Sequence, residues 1–341
     1  ITQALLVTSK PVGLAVKAGQ AMASSNSTGL IDAQINDSAG SDICGKTVTL
    51  FDKYVHTAMY CLVLLVGLPG NVTAIWLYAR SVRTWSSSAV FLFNLAVADL
   101  LYLLTLPMQI VYQANDSIWV FGSITCKLMR FLTYAQMYIS ILFLVYICLD
   151  RYVAIVHPLK WHRSPRHRVS LWMCVAGWTC ILAQVSPLLS FVSVSQYPSS
   201  NNLRCHGFTD SADIATMFVY SLVLTVLGFT LPHLVMLVCY LLCVRALRQE
   251  RMQGRQISKE KSVKIIICAL VLFSTCFVPY HILRNVKMYF TLYPPHPCDN
   301  QVIRVAYIIT KDLCSLNSAL NPMFYFVAGD NFRLRLTVAV K

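Results

Sequence analysis

Charged side chains lie inside long apolar runs of this sequence, and their types indicate what chemistry is available. Asp99 lies within one run, and Arg130, Arg284 and Lys311 lie within three others. A charge in an apolar environment is costly without a partner, so such residues are typically functional. A carboxylate among polar oxygens suits a bound cation, whereas guanidinium and ammonium groups suit phosphates or carboxylates.

Seven apolar runs position these groups, each of about 20 residues or more and long enough to cross a bilayer as a helix. The 341-residue chain is 57% hydrophobic and 12% charged, against about 25% charged in soluble domains. We therefore predict an all-α membrane protein, a seven-transmembrane helix bundle followed by a short C-terminal amphipathic helix. The predicted spans 1 to 7 are 54–78, 89–112, 124–156, 169–189, 214–243, 263–290 and 302–327.

The regions flanking the spans have a different composition. Residues 1–50 are rich in Ser, Asn and Gly and predict an extracellular tail. Met22 precedes a polar stretch, so residues 1–21 are interpreted as a leader or a cloning remnant. Residues 51–328 form the predicted membrane domain, and 329–341 the predicted cytosolic juxtamembrane helix.

The net charge of +14 is concentrated in alternate links between spans. Basic residues favour the cytosolic side, so these links are predicted to be cytosolic and the N-terminus extracellular. This placement indicates a membrane orientation and not a nucleic-acid partner. Glycosylation sequons at Asn26, Asn36 and Asn115 fall on the outer side, whereas the sequon at Asn71 lies inside span 1, where no glycan fits.

Four of the 13 cysteines lie outside the spans, on the predicted oxidising side of the membrane. We predict disulfides between Cys126 and Cys205 and between Cys44 and Cys298. The alternative that one pair remains as free thiols stays open.

Polar residues inside the spans form two further groups. The first group comprises Asp99, Ser140, Asn317 and Asn321, whose oxygen atoms suit a bound sodium ion. The alternative is a structural hydrogen-bond cluster that also includes Asn71. The sequence leaves both interpretations open. No organic cofactor and no other metal is predicted. At the cytosolic side, Asp150-Arg151-Tyr152 closes span 3, and Asn321-Pro322-Met323-Phe324-Tyr325 places a helix-breaking proline near the end of span 7.

Short motifs are spread along the chain: Gly70-Asn71, Leu95-Ala96-Val97-Ala98-Asp99, Asp150-Arg151-Tyr152, Trp178, Pro232 with Tyr240, Phe277-Val278-Pro279 and Asn-Pro-x-x-Tyr. Together they resemble the rhodopsin-like, class A G-protein-coupled receptors over about residues 50–340. The resemblance implies a plasma-membrane receptor with an outward ligand pocket and a cytosolic face that activates a heterotrimeric G protein. The activation switch it implies comprises Asp150, Arg151, Tyr152, Tyr240, Phe277, Pro279, Pro322 and Tyr325.

Arg130, Arg284 and Lys311 are expected at similar depth in the outer third of the bundle. Arg130 lies one turn, about 6 Å, below Cys126, while Arg284 and Lys311 flank Cys298 at similar separations. A multivalent anion between them would engage all three; the alternative is pairing with Asp116, Asp210, Asp213 or Asp299. The aromatic, imidazole and rim residues predicted to accompany them are Tyr134, His281, Tyr307, Tyr112 and Lys287.

A finer resemblance narrows the ligand. Four features look like those of the purinergic nucleotide receptors: His281-x-x-Arg284, Tyr134 below Arg130, Ser140-Ile141-Leu142-Phe143-Leu144 and Leu316-Asn317-Ser318. This resemblance implies that the ligand is bound by Arg130, Tyr134, His281, Arg284 and Lys311. Two positions depart from that branch, which usually has His in place of Asp150 and Asp in place of Asn321. These two residues, together with Tyr220-Ser221-Leu222, look like the corresponding segments of the succinate and dicarboxylate receptors. Lysophospholipid receptors are a third neighbour. We predict a nucleotide first and a dicarboxylate second.

Other classes fit the sequence less well. An opsin needs a lysine six residues before Asn321, where this chain has Ser315. An enzyme needs a nucleophile–base pair or a metal cluster, and a transporter is expected to show repeated halves. The sequence shows neither.

Overall fold

The seven spans are helices in a computed structural model of the chain. The structure describes residues 51–81, 85–157, 166–192, 194–196, 203–205, 207, 213–252, 260–294 and 297–328, except for the side chains at 51, 52, 81, 166, 196, 250–252, 260–262, 297–300 and 324–328. The predicted tail 1–50 and C-terminal helix 329–341 lie outside these residues, as do Asn26 and Asn36.

Each predicted span falls on one helix or on consecutive helical segments. Span 1 is Thr57–Ser81, preceded by a π-helical turn Phe51–His56; span 2 is Ser87–Leu103 and Leu106–Ala114; span 3 is Ser123–Val156; span 4 is Arg166–Val185 and Leu188–Phe191; span 5 is Ile214–Thr225, a π-helical segment Val226–Thr230 and Leu231–Met252; span 6 is Glu260–Leu292; span 7 is Pro297–Ala328. Two short antiparallel strands, β1 (Val194–Gln196) and β2 (Leu203–Cys205), lie between spans 4 and 5.

Six of these helices in the described part of the chain are long and apolar enough to cross a membrane. The seventh, Pro297–Ala328, has comparable length but carries Lys311, Asp312, Asn317 and Asn321 among its apolar residues. Large apolar side chains face outward, including Leu65 and Trp172, which are 74% and 73% exposed. The predicted seven-helix bundle is confirmed, and its outward apolar surface suits a lipid environment.

Prolines mark the places where the spans depart from a regular helix. Pro107 lies in the first turn of the second segment of span 2, and Pro187 stands just before the last segment of span 4. Pro232 follows the π-helical segment of span 5, while Pro279 and Pro322 lie inside spans 6 and 7. Proline has no amide hydrogen to donate to the carbonyl oxygen four residues earlier, so the breaks near Pro107, Pro187 and Pro232 follow from the sequence, whereas spans 6 and 7 continue through Pro279 and Pro322.

Span 3 is the central element, packed against spans 2, 4, 5 and 6, while span 7 packs against spans 1, 2 and 6. Two glycines permit close approaches that position the site. A Cβ on Gly70 would lie 2.7 Å from Cγ of Pro322, and a Cβ on Gly228 would lie 2.7 Å from the Tyr138 ring. Span 1 thereby meets span 7, and the π-helical segment of span 5 meets span 3.

Candidate functional site

The outer end of span 3 is tied to strand β2. The predicted Cys126–Cys205 disulfide is present. Arg130 Nη2 donates to the carbonyl oxygen of Cys205 at 3.1 Å, so this guanidinium points toward the outer strand. The backbone amide of Trp119 donates to the carbonyl oxygen of Leu203 at 2.8 Å, which holds the same strand from span 2's side. The predicted Cys44–Cys298 pair lies outside the described side chains.

Arg284 of span 6 is fully buried and contacts spans 3 and 5. Its Nη1 donates to the Tyr138 hydroxyl at 2.8 Å, and its Nη2 donates to Thr225 Oγ1 at 3.0 Å and to the Ser221 carbonyl oxygen at 3.3 Å. Its guanidinium carbon lies 5.5 Å from the ring centroid of Tyr280. Neutral oxygens from two neighbouring spans and an aromatic ring therefore surround this cation.

Lys311 of span 7 points toward span 1. Its Nζ lies 3.3 Å from His56 Nε2 and 5.6 Å from the ring centroid of Tyr60. The other imidazole nitrogen, Nδ1 of His56, hydrogen-bonds the carboxylate of Asp312. His56 was not predicted, because nothing adjacent in the sequence marks it and its partners lie in another span.

The three cations contact different neighbours, and their common role in binding an anion stays a prediction. Tyr138, which Arg284 contacts, lies eight residues beyond Arg130 on span 3, or about 12 Å further along the helix axis. Each side chain reaches acceptors that pack beside its own helix. Of the acids considered as alternative partners, Asp116 pairs with Lys53 at 2.8 Å, and Asp213 accepts from the Thr216 amide at 3.3 Å.

Aromatic and imidazole groups line the region between these cations. His281 is fully buried: its Nδ1 donates to the Phe277 carbonyl oxygen at 3.0 Å, and its ring stacks on Phe229 at 4.3 Å. Its Nε2 has no hydrogen-bond partner in the described part of the chain. Tyr134 is also buried.

The remaining predicted ligand residues lie nearer the rim. Tyr307 stacks on Tyr280 with centroids 5.9 Å apart, and Lys287 Nζ lies 4.9 Å from the Tyr307 centroid. Tyr112 meets Trp119 edge to face at 5.6 Å. The ligand-binding role of this whole set remains a prediction.

At mid-bundle, one carboxylate is surrounded by hydrogen-bond donors. Asp99 is 0% exposed. Its Oδ1 accepts from Gln136 Nε2 at 2.8 Å and from Ser318 Oγ at 2.9 Å, and its Oδ2 accepts from Asn321 Nδ2 at 2.7 Å. Gln136 and Ser318 were missed, although Gln136 lies one helical turn before Ser140 and so shares its helix face.

Oxygen atoms suitable for sodium accompany Asp99. Ser140 Oγ accepts from Gln136 Nε2 at 3.0 Å. The buried Asn317 Oδ1 and Asn321 Oδ1 have no hydrogen-bond partner among the residues that the structure describes. A carboxylate with hydroxyl and amide oxygens is a donor set that hard cations prefer. Asn71, in contrast, donates to the carbonyl oxygens of Gly67 and Ser318, both at 2.9 Å, which is a structural role.

At the C-terminal end of span 3, Arg151 Nη2 donates to Asp150 Oδ2 at 3.1 Å and also to Ser88 Oγ. Ser88 Oγ in turn donates to Asp150 Oδ2 at 2.5 Å. The three side chains link span 3 to span 2, and Ser88 was not predicted. The Asp-Arg pair is thereby joined to span 2 through Ser88 in this conformation.

The other predicted switch residues are dispersed along spans 3, 5, 6 and 7. Tyr152 lies edge to face with His157 at 5.9 Å, and Phe277 with Phe273 at 5.4 Å. Tyr240 is half-buried. The side chain of Tyr325 lies outside the described residues. Their role in activation remains a prediction.

A seven-helix bundle with a buried mid-bundle carboxylate, a disulfide at the N-terminal end of span 3 and an Asp-Arg-Tyr segment at its C-terminal end defines a class of membrane receptors. The family model described as "7 transmembrane receptor (rhodopsin family)" matches residues 70–325. The chain belongs to this family and is a class A G-protein-coupled receptor, a multi-pass membrane protein and not an enzyme.

Among its relatives are purinoceptors. The chain is 36% identical to purinoceptor 1 of Gallus gallus over 301 residues, covering 87% of this chain and 83% of that protein. It is likewise 36% identical to purinoceptor 1 of Homo sapiens, covering 87% and 80%. It is 37% identical to purinoceptor 4 of Xenopus laevis, covering 83% of this chain and 53% of that protein.

Proposed function

We propose that this receptor responds to an extracellular nucleotide at the plasma membrane, with its N-terminus outside, and activates a heterotrimeric G protein. The observation that carries the proposal is the set Arg130, Arg284 and Lys311, which enters the outer half of the bundle from three spans. The similarity to purinoceptors supports a purine-containing ligand over other anions.

The separate contacts of the cations favour an extended anion. Arg130 contacts strand β2, whereas Arg284 contacts Tyr138, whose position on span 3 is about 12 Å along the helix axis from that of Arg130. A nucleoside polyphosphate is long enough to contact separated cations, while a small diacid would contact only some of them. Each guanidinium can bind two phosphate oxygens side by side, and Lys311 adds a point charge.

The rings beside the cations suit a nucleobase. Tyr134 is buried one turn below Arg130, and the Tyr280–Tyr307 stack lies next to Arg284. The lone pair of His281 Nε2 can accept a hydrogen bond from a ligand donor, because Nδ1 carries the ring proton. A dicarboxylate such as succinate is the second candidate, because the fork of Arg284 would hold a carboxylate equally well.

The proposal is tested on cells that express the full chain. ATP, ADP, UTP, UDP, succinate and a lysophosphatidic acid are applied separately, and G-protein activation is recorded. We expect nucleotides to activate, and Arg284→Ala to weaken them. Lys53→Met is the matched control, because Lys53 is a cation of the outer end that pairs with Asp116. Activation by succinate or lysophosphatidic acid alone would replace the nucleotide with that ligand.

We also propose that the Asp99 cluster binds sodium. The support is the combination of one wholly buried carboxylate with the oxygens of Ser140, Asn317 and Asn321. Sodium there would hold spans 2, 3 and 7 together and favour the resting receptor. Agonist affinity is then expected to fall as sodium replaces potassium in the medium at constant ionic strength; an affinity independent of sodium would leave the cluster purely structural.

A further inference from the structure

His56 lies between two charged residues of span 7. Its Nδ1 hydrogen-bonds the Asp312 carboxylate, and its Nε2 lies 3.3 Å from the Lys311 ammonium. His56 and Asp312 are 1% and 4% exposed, so water competes little for either contact. The three side chains connect the outer ends of spans 1 and 7, which are 255 residues apart in sequence.

The partners determine the state of the imidazole. A carboxylate only accepts hydrogen bonds, so Nδ1 carries the proton, and an ammonium only donates, so Nε2 presents its lone pair. One histidine can satisfy both partners only while it is neutral. A second proton would convert Nε2 into a donor and place a positive charge beside Lys311, which removes the contact and repels the ammonium.

We propose that His56 is a positioning residue for the anionic ligand: neutral His56 holds Lys311 toward span 1, and protonated His56 releases it toward the ligand. The inference rests on the proposed anion site. In the released state Asp312 retains a charged hydrogen bond to the imidazolium, so the carboxylate stays paired while Lys311 loses its contact with His56.

Thermodynamic linkage between protonation of His56 and anion binding determines whether potency rises or falls with pH. If protonated His56 favours anion binding, then a bound anion favours protonation of His56 by the same factor. Potency should therefore rise as extracellular pH falls, and the rise should come at acid values, because burial and the nearby positive charges of Lys311 and Arg130 oppose protonation of His56. The opposite sign would mean that the His56–Lys311 contact presents the ammonium to the ligand instead of withholding it.

The surroundings of His56 are defined on each packed element. Span 7 contributes Lys311 and Asp312, and Arg130 of span 3 lies within electrostatic range. On its own span the Tyr60 ring lies 4.2 Å away, and Lys53 pairs with Asp116. The outer segment of span 2, which packs on the turn Phe51–His56, contributes Tyr112 as its titratable residue.

The first experiment uses ATP as the probe on cells at several values between about pH 7.5 and pH 5, because protonation of His56 requires acid conditions. Wild type should become about 3- to 10-fold more potent toward acid beyond any change in ATP itself, because one coupled proton shifts affinity by at most tenfold per pH unit. His56→Gln offers Lys311 a neutral acceptor that cannot titrate, and should lose that increment. Lys53→Met should follow wild type. A His56→Gln profile that parallels wild type overturns the inference.

A second experiment does not depend on activation by ATP. The purified full-length receptor carries ¹⁵N-labelled histidine, and the His56 resonance is assigned by its loss in His56→Gln. We expect the Nδ1–H tautomer in wild type, and in Lys311→Met a titration midpoint raised by about one pH unit or more, since a neighbouring positive charge is gone. An unchanged midpoint, or the Nε2–H tautomer, overturns the inference. A raised midpoint together with no nucleotide response would leave the His56–Lys311 coupling intact and reject the proposed ligand alone.

Discussion

The Asp99 cluster and the outer cations carry buried charge in opposite arrangements. At Asp99 a single negative charge receives donors from spans 3 and 7, and all of them converge on its two oxygens. Near the outer surface the positive charges diverge: Arg130 contacts the Cys205 carbonyl oxygen, Arg284 contacts Tyr138, and Lys311 contacts His56.

This difference in how the charges are held indicates which of the two regions can exchange its contacts more easily. Convergent partners share one carboxylate, so moving any span around Asp99 disturbs several hydrogen bonds together. The contacts described for each outer cation include neutral acceptors, and a ligand anion can offer stronger, charge-assisted bonds in their place. The cluster is therefore suited to holding helices together, and the outer cations are suited to exchanging partners. The following substitutions probe this contrast from the largest expected effect to the smallest.

Breaking the outer frame should have the largest effect. Cys126→Ala removes the link to Cys205 across a separation of 79 residues, which contributes about 4.5 kcal/mol of stability in the loop-entropy picture. It also frees strand β2, whose carbonyl positions Arg130. We expect surface ligand binding to be abolished. Cys180→Ala, which removes a lipid-exposed free thiol, is the control and should bind normally.

The next effect concerns Arg284. Loss of its charge-assisted bonds to an anion should cost about 1.5–3 kcal/mol, or roughly 10- to 150-fold in potency. Arg284→Lys should recover only part, because an ammonium lacks the planar fork. Tyr138→Phe removes the hydroxyl that accepts from Arg284 and leaves the guanidinium, so it separates structural from ligand contacts. A potency loss in Tyr138→Phe equal to that in Arg284→Ala would argue for a structural role alone.

Asp99→Asn tests the convergent region. The neutral amide cannot balance a cation, so the sodium dependence of agonist affinity should disappear. In purified receptor, sodium at ten times its Kd should stabilise wild type by about 1.4 kcal/mol and leave the variant unaffected. Thermal unfolding in sodium and in potassium measures this directly. Equal stabilisation of both proteins by sodium would place the ion elsewhere.

The smallest effect is expected from Ser140→Ala. Ser140 Oγ accepts from Gln136 Nε2 at 3.0 Å and has the weakest of the four side-chain hydrogen bonds to Asp99, so its loss should cost about 0.5–1.5 kcal/mol of unfolding free energy. Ser318→Ala removes a donor to the Asp99 carboxylate itself and should cost more, about 1.5–3 kcal/mol. The reverse order in thermal unfolding would contradict the view that the carboxylate dominates the cluster.

Much of the fold could be predicted because a membrane-spanning helix requires a continuous apolar segment, which can be recognised from neighbouring residues in the sequence. Each apolar run had the length that hydrocarbon requires, and the breaks at Pro107, Pro187 and Pro232 follow from a missing amide hydrogen. The pairing of Cys126 with Cys205 could also be predicted, because few cysteines lie on the oxidising side. The membership of the Asp99 cluster was only partly predictable, since Gln136 and Ser318 resemble ordinary interior polar residues in sequence.

The sequence by itself determined the seven spans, their orientation signal and the types of charge buried among them, because these depend on residues that are neighbours along the chain. Tertiary structure alone decided where those charges point. Arg284 turned inward to Tyr138 and Thr225 because Gly228 lets span 5 approach span 3 at that level. Lys311 turned toward span 1 because His56, fixed by Asp312, places a lone pair there. Long flexible side chains choose among acceptors within reach, and only the packing of distant segments determines which acceptors those are.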